Sequence, residues 1–310
     1  MDLTISVIVP VFNRENLIIR TLDSILNQTE LPYELIIVDN NSTDSTVEKV
    51  EHWIEKNSGK GIRIRLLNEP KRGAYVARQK GLIEAMGNYV IFFDSDDTMR
   101  PDLIKKAADV FSQFPSTDIV CWKRHFNTLD GKKRIPPFLT GTAIESHLFH
   151  SLLSTQGYMS RKDFLVNAGG WSKSLSVWDD LELGLRLLLK RPELRPVNEV
   201  LCDIYSQEES ITGTDFSSRQ GEWENTLREM ERENELSDHS QKKQVKKIID
   251  YRRAILAAYY YREGNKKGAR NLMQATLENK NFQERFILKF SYHYTKAGLR
   301  GVWRLVRLTY

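Results

Sequence analysis

The chain has 310 residues, with 46 Lys+Arg against 41 Asp+Glu and a formal net charge of +5. An apolar share of 40% and a charged share of 28% suit a folded globular protein and exclude wholesale disorder or a collagen-like chain. No stretch approaches the ~20 apolar residues of a membrane-spanning helix, and two cysteines, Cys121 and Cys202, exclude a disulfide framework or a cysteine-built zinc cluster.

The first 120 residues alternate two patterns. Ile5-Ser-Val-Ile-Val-Pro-Val11, Glu34-Leu-Ile-Ile-Val-Asp39, Tyr89-Val-Ile-Phe-Phe-Asp94 and Asp118-Ile-Val-Cys-Trp122 are short apolar runs that predict buried strands, while 62–67 alternates as a less buried strand would. Between them, 16–27, 45–56, 74–86 and 102–114 have helical spacing. Ser42-Thr-Asp44 offers capping side chains to one helix, and Pro101 suits the first turn of another. Such alternation predicts an α/β fold with a parallel sheet covered on both faces. Beyond Lys123 the sequence is less regular: 132–137 and 141–142 read as loop, 179–190 as a helix and 196–204 as a strand. From Arg219 onward it reads as charged helices, with a break at Gly264-Asn-Lys-Lys-Gly268 between two members of a hairpin. No low-complexity linker intervenes, so these helices are expected to dock on the body.

Ligands of an open parallel sheet bind beyond the carboxyl ends of its strands. Asp39 and Asp94 stand there, and Asp94 leads into Ser95-Asp96-Asp97. Carboxylates gathered on one turn repel unless a cation offsets them, and a hard divalent ion that also bridges phosphates does so; a solvated acidic turn with Asp97 or Thr98 capping the next helix is the other reading. The first strand is followed by Pro10-Val-Phe-Asn13, not a Gly-x-Gly-x-x-Gly, and no Gly-x-x-x-x-Gly-Lys-[Ser/Thr] occurs, so a dinucleotide site and a P-loop are both excluded. Phosphates then fall to metal and basic side chains, with Arg78 a candidate.

Taken in order, Val7-Ile-Val-Pro-Val-Phe-Asn13, Glu34 to Asp44, Gly73-Ala-Tyr-Val-Ala-Arg-Gln-Lys-Gly81, Tyr89 to Asp97, and Gly169-Gly-Trp171 followed by Trp178-Asp-Asp-Leu-Glu-Leu-Gly-Leu-Arg186 resemble the family 2 glycosyltransferases of GT-A fold, over roughly residues 1–210. The resemblance implies a nucleotide-diphospho-sugar transferase fold: a mostly parallel Rossmann-like sheet flanked by helices over 1–215, divided into a nucleotide-sugar half (1–122) and an acceptor half (123–215), with a helical extension over 216–310. It implies that Pro10, Val11, Phe12 and Asn13 line the base and ribose pocket, that Asp39 bonds the base or ribose, and that Arg78 lies near the nucleotide. Asp94, Ser95 and Asp96 form the Asp-x-Asp segment, in which Asp94 and Asp96 hold the ribose and a divalent metal, Mn²⁺ or Mg²⁺. Asp180 is the implied general base, with Asp179 beside it in place of the usual Glu. A carboxylate at a helix start is expected to stay ionised through the dipole.

The implied activity is an inverting, metal-dependent transfer from a nucleotide-diphospho-sugar, most simply a UDP-sugar, to a saccharide or lipid-linked acceptor in polysaccharide or glycoconjugate assembly. A nucleotidyltransferase would want a Gly-rich basic loop after the first strand, and a degenerate scaffold would not need Asp39, Asp94, Asp96 and Asp180 together. Two departures stand out. The second strand ends Asp39-Asn40-Asn41 where relatives often have Asp-Asp-Gly, and 204–210 lacks the His that can complete a metal site, leaving Gln207, Glu208 or water for that position. His125, His147 and His150 read as structural or surface residues.

Charge is unevenly spread: 240–310 holds 17 Lys+Arg against 4 Asp+Glu, leaving 29 against 37 in the first 239 residues. In 282–310, aromatic and aliphatic residues interleave with basic ones, with Gly298 and Gly301 as breaks. A basic amphipathic helix of this kind either lies on an anionic membrane or packs its aromatics on the core. No nucleic-acid reader module accompanies the charge. With no signal peptide recognised, the expected location is the cytoplasm, with peripheral contact to the inner face of the membrane as the tail's alternative.

Overall fold

The computed structural model describes residues 3–207, 216–299 and 301–308. The N-terminal part alternates β1 (Ile5–Val11), α1 (Ile18–Leu26), β2 (Glu34–Asp39), α2 (Thr46–Asn57), β3 (Arg63–Asn68), α3 (Ala74–Glu84) and β4 (Tyr89–Phe92). There follow β5 (Thr98–Met99), α4 (Leu103–Gln113), β6 (Ile119–Asn127), β7 (Lys133–Arg134), α5 (Ala143–His150), β8 (Tyr158–Arg161), α6 (Lys162–Asn167), α7 (Asp179–Leu189) and β9 (Leu194–Tyr205). Helices α8 (Gln220–Asn234), α9 (His239–Arg262), α10 (Lys266–Leu277), α11 (Phe282–Lys296) and α12 (Trp303–Leu308) complete the chain.

The strands form one sheet in the order β3-β2-β1-β4-β8-β6-β9-β5, with β7 on β6. β1 is parallel to β2 and β4, and β2 to β3, as the apolar runs predict. β8 is antiparallel to both β4 and β6. That reversed strand, only four residues long, is not expected from the sequence. Every residue of β1 and β2 is buried, and their period of two divides the core. Ile8, Ile36, Val38 and Phe92 join one cluster; Val7, Val9, Leu35 and Ile37 join the other, with α1, α2 and α4. The first cluster continues through α3 and α7 into α8, α9, α10 and α11, where Trp223, Ile249, Tyr260 and Leu272 are buried. The C-terminal helices therefore share a core with one sheet face.

Two local expectations need correction. Pro101 lies in the turn before α4, whose N-cap is Asp102, not in its first turn. β4 ends at Phe92, so Asp94 stands two residues beyond it, in a turn closed by the Asp97 N–H on the Asp94 carbonyl at 3.3 Å. The breaks at Gly264 and Gly298 appear as expected, both with positive φ. Among the described residues, no helix is long and apolar enough to cross a membrane.

Helix α3 lies very close to the sheet. A Cβ on Gly81 would fall 2.3 Å from Ile8 Cγ2, and this approach lays α3 along β1, with Arg78 one turn earlier on the same face. Gly81→Ala is expected to cost about 1–3 kcal/mol of stability by overpacking, read as a lower urea midpoint with an unchanged slope.

Candidate active site

At the carboxyl rim, β1 and β2 end in register, Val11 opposite Asp39. The Asp39 carboxylate accepts the N–H of Asn41 at 3.1 Å and of Ser42 at 3.3 Å, so it shapes the loop that follows. Asn13 adopts a left-handed φ of 49°. Its side chain accepts the Thr43 N–H at 2.8 Å and its own N–H donates to Ser42 Oγ at 3.0 Å, which joins the two loops. Asn40 accepts the Gly73 N–H at 2.7 Å and donates to the Glu69 carbonyl at 2.9 Å. It fixes the loop before α3. In that loop the exposed Arg72 guanidinium lies 4.5 Å above the half-buried Phe12 ring. Pro10 and Val11 are buried in the strand beneath.

The acidic turn divides into separate tasks. Asp97 is buried; it accepts the Tyr205 N–H at 2.9 Å and a bond from the Gln156 amide. Burial and the neighbouring Asp94 and Asp96 push its carboxyl well above the usual range. It pins the end of β9 and caps no helix. Ser95 is buried. Asp96 faces Arg14 across 3.5 Å, and burial with the Asp94 charge raises its carboxyl. Asp94 accepts a 2.8 Å bond from Arg78.

Arg78 connects this turn to the start of α7. Its other terminal nitrogen donates to Asp179 at 2.7 Å. Burial disfavours the Arg78 charge, but the carboxylates of Asp179 and Asp94 overcome this and hold the guanidinium firmly protonated. The sequence reading put Arg78 near the nucleotide as a phosphate partner; here it is occupied by two carboxylates. Its planar fork reaches both, which a lysine ammonium could not do in the same geometry.

Gly169-Gly170-Trp171 explains the rest of the clamp. Gly169 and Gly170 have φ of 92° and 63°, and a Cβ on Gly170 would meet the Gln79 side chain at 2.4 Å. The chain thus crosses α3 closely, Trp171 N–H bonds Gln79 at 2.8 Å, and the indole lies 4.7 Å from the Arg78 guanidinium. Arg186 of α7 donates to the Gly170 carbonyl at 2.8 Å and pairs with Glu182 at 2.7 Å, which ties the glycine turn to the helix carrying Asp179 and Asp180.

The Asp180 carboxyl lies above the range expected at a helix start, though still below neutral pH. Burial, then the charge of Asp179, push its carboxyl up to about 6 against the opposing pull of Arg78. Trp178, just before it, is a non-glycine residue at φ 49°. Its ring packs 4.8 Å from the buried Trp223 of α8 and lies 5.1 Å from the Arg252 guanidinium of α9. Sequence reasoning missed these supports; the only signal was two tryptophans in otherwise polar surroundings.

The donor set fits a divalent ion of one kind. Among the described residues, no three His, Cys, Asp or Glu side chains are grouped to enclose a metal. Asp96, partly exposed and crowded by Asp94, suits instead an ion held by one or two carboxylates and completed by substrate phosphates. Glu208 lies outside the described residues, and the Gln207 amide points at the Tyr205 carbonyl at 3.4 Å. His125 bonds Asp203 at 2.8 Å, and both ring nitrogens of His147 are bonded, to Leu181 and Leu153.

Residues 6–164 match the model of Glycosyl transferase family 2, and the chain belongs to that family. It is 30% identical over 207 residues to the cholesterol galactosyltransferase of Borreliella burgdorferi, covering 64% of this chain and 53% of that relative. To glycosyltransferase GlyA of Streptococcus pneumoniae it is 38% identical over 105 residues, 34% of this chain and 14% of that one. The chain spans about half or less of the length of these relatives. Among solved structures, residues 1–349 of S. aureus TarS in complex with UDP-GlcNAc align with 99% of this chain and 92% of that one, at TM-score 0.68 and 19% identity. The Pyrobaculum calidifontis mannosyltransferase PcManGT, in complex with GDP-Man and Mn²⁺, aligns at TM-score 0.57 and 17% identity over 98% and 86%. The fold is thus GT-A, a curled and mostly parallel sheet with a helical C-terminal region.

Breaking a buried pair leaves an uncompensated charge, so Arg78→Met is expected to destabilise the protein by about 3–5 kcal/mol. Arg78→Lys should recover only part of this. Urea unfolding of both variants checks it.

Proposed function

We propose that this protein transfers a sugar from a nucleotide-diphospho-sugar to an acceptor hydroxyl with inversion at the anomeric carbon. The observation that carries the proposal is the Arg78 bridge, which brings Asp94 of the acidic turn and Asp179 of α7 within reach of one guanidinium. This supports a reading in which the donor half of the rim and Asp180, next to Asp179, share one site. Family membership and the UDP-GlcNAc held by the TarS neighbour favour a UDP-sugar donor. The acceptor class is a saccharide or a lipid-linked sugar, in polysaccharide or glycoconjugate assembly.

In this reading Pro10, Val11, Phe12, Asn13 and Asp39 form the nucleoside end of the donor site, with the Phe12 ring presented under Arg72. Ser95 contributes to the same site from the acidic turn. Asp96, with Asp94 beside it, would hold Mn²⁺ or Mg²⁺, which when bound supplies positive charge against the departing diphosphate. Asp180 takes the proton of the acceptor hydroxyl as its oxygen attacks the anomeric carbon. The carbon–oxygen bond to the diphosphate breaks, and the nucleoside diphosphate leaves with the electron pair. Asp179, paired with Arg78, raises the affinity of the neighbouring base for the proton it takes. A single base and a single displacement give inversion.

Donor binding and transfer should separate by residue. Asp96→Ala is expected to abolish metal-dependent binding of a nucleotide sugar, read by calorimetry. Asp180→Asn should bind donor normally and lose about 10²–10⁴ in transfer rate; transfer at the unmodified rate would refute the base assignment.

The pH dependence follows from the ionised form being the base. Since Asp180 titrates near 6, transfer should rise with pH through that region and fall below it. Asp179→Asn removes a neighbouring negative charge and frees Arg78, so the rising limb of the residual activity should move to lower pH.

A further inference from the structure

Helix α11 inverts the usual arrangement of a surface helix, which turns polar residues to water. Its inner face buries Ile287, Leu288, Ser291 and Thr295. The opposite face carries Phe282, Phe286 and Phe290, spaced four apart, with relative exposures of 87%, 60% and 40%. The Phe286 and Phe290 rings stack 6.5 Å apart, and the stripe exposes on the order of 400 Å² of aromatic surface. Arg285 and Lys289 interleave with these rings on the same face. Both line a groove of about 790 Å³ between α10 and α11, whose ionised rim is Lys266, Arg270, Arg285 and Lys289 against the one carboxylate of Glu278.

We propose that this face docks on an anionic phospholipid bilayer, with the three phenylalanines entering the interface and the groove cations on headgroup phosphates. Charge complementarity selects this occupant. A second copy placed face to face would set Arg270, Arg285 and Lys289 against the same cations. An apolar protein surface would leave them unpaired. A bilayer interface takes the rings into its acyl boundary, some ~5–10 Å deep, while the cations stay at headgroup level. Each basic residue near an anionic leaflet contributes roughly 1 kcal/mol. The C-terminal excess of 17 Lys+Arg over 4 Asp+Glu from residue 240 adds long-range attraction. This docking is independent of the proposed reaction and is read without it.

The full chain should co-sediment with vesicles of phosphatidylcholine mixed with phosphatidylglycerol, not with phosphatidylcholine alone, and should dissociate as salt rises. Arg285→Gln with Lys289→Gln should weaken that binding roughly thirtyfold at low salt and flatten its salt dependence. Phe286→Ser with Phe290→Ser should weaken it while keeping the salt dependence. All four side chains are exposed, so the thermal midpoint should stay within about a degree or two. Three results would overturn the proposal: equal behaviour towards both vesicles, a phenylalanine pair variant that binds like the unmodified chain, or a dimer in solution that the pair variant splits.

Discussion

The guanidinium of Arg78 is the interaction on which the rim depends. Asp94 and Asp179 reach it from opposite sides, 2.8 and 2.7 Å away, out of segments 85 residues apart in sequence. Without a cation between them, two carboxylates drawn into a closing rim would repel each other and the neighbouring Asp96 and Asp180. The tight lie of α3 on β1 sets the height of Arg78, and the glycine turn before Trp171 brings an indole against its face. A structural ion pair therefore underlies the placement of the residues assigned to chemistry.

The second half of the rim is held from outside the span that defines the family. Asp179 and Asp180 follow Trp178, whose left-handed backbone is stabilised by packing on Trp223 and Arg252 from the C-terminal helices. Those helices share the core cluster that includes Ile8 and Phe92. Their apolar faces complete the sheet, and their outer face, on α11, supplies the aromatic and basic surface assigned to the bilayer. One helical region thus carries both the packing that supports the candidate base and the face proposed to dock on a bilayer.

The three carboxylates of residues 94–97 show how burial assigns different work to like groups. Asp94 is neutralised by an arginine, and Asp96 keeps partial access while facing Arg14 across 3.5 Å. Asp97 is sealed under Tyr205 and Gln156, where its bonds organise β9. The three carboxylates share one short turn, so the division comes from what other elements bring to it. The raised carboxyls of Asp96, Asp97 and Asp180 share burial as the leading cause.

Strands β1, β2 and β4 were legible because a strand buried on both faces must be apolar along its whole length, a local property that composition displays directly. Asp39, Asp94 and Asp96 stood out as candidates because they are charges at or just past the ends of apolar runs, whereas Asp179 and Asp180 were singled out only by the resemblance to family 2. The antiparallel β8, the two-residue strand β5 and the clamp at Arg78 were not legible. Their hydrogen bonds and ion pairs join segments far apart, and no short window of sequence contains both partners. The raised carboxyl of Asp180 was not legible on the same ground: the helix dipole is written in its own turn, but the burial that outweighs it exists only once distant elements pack.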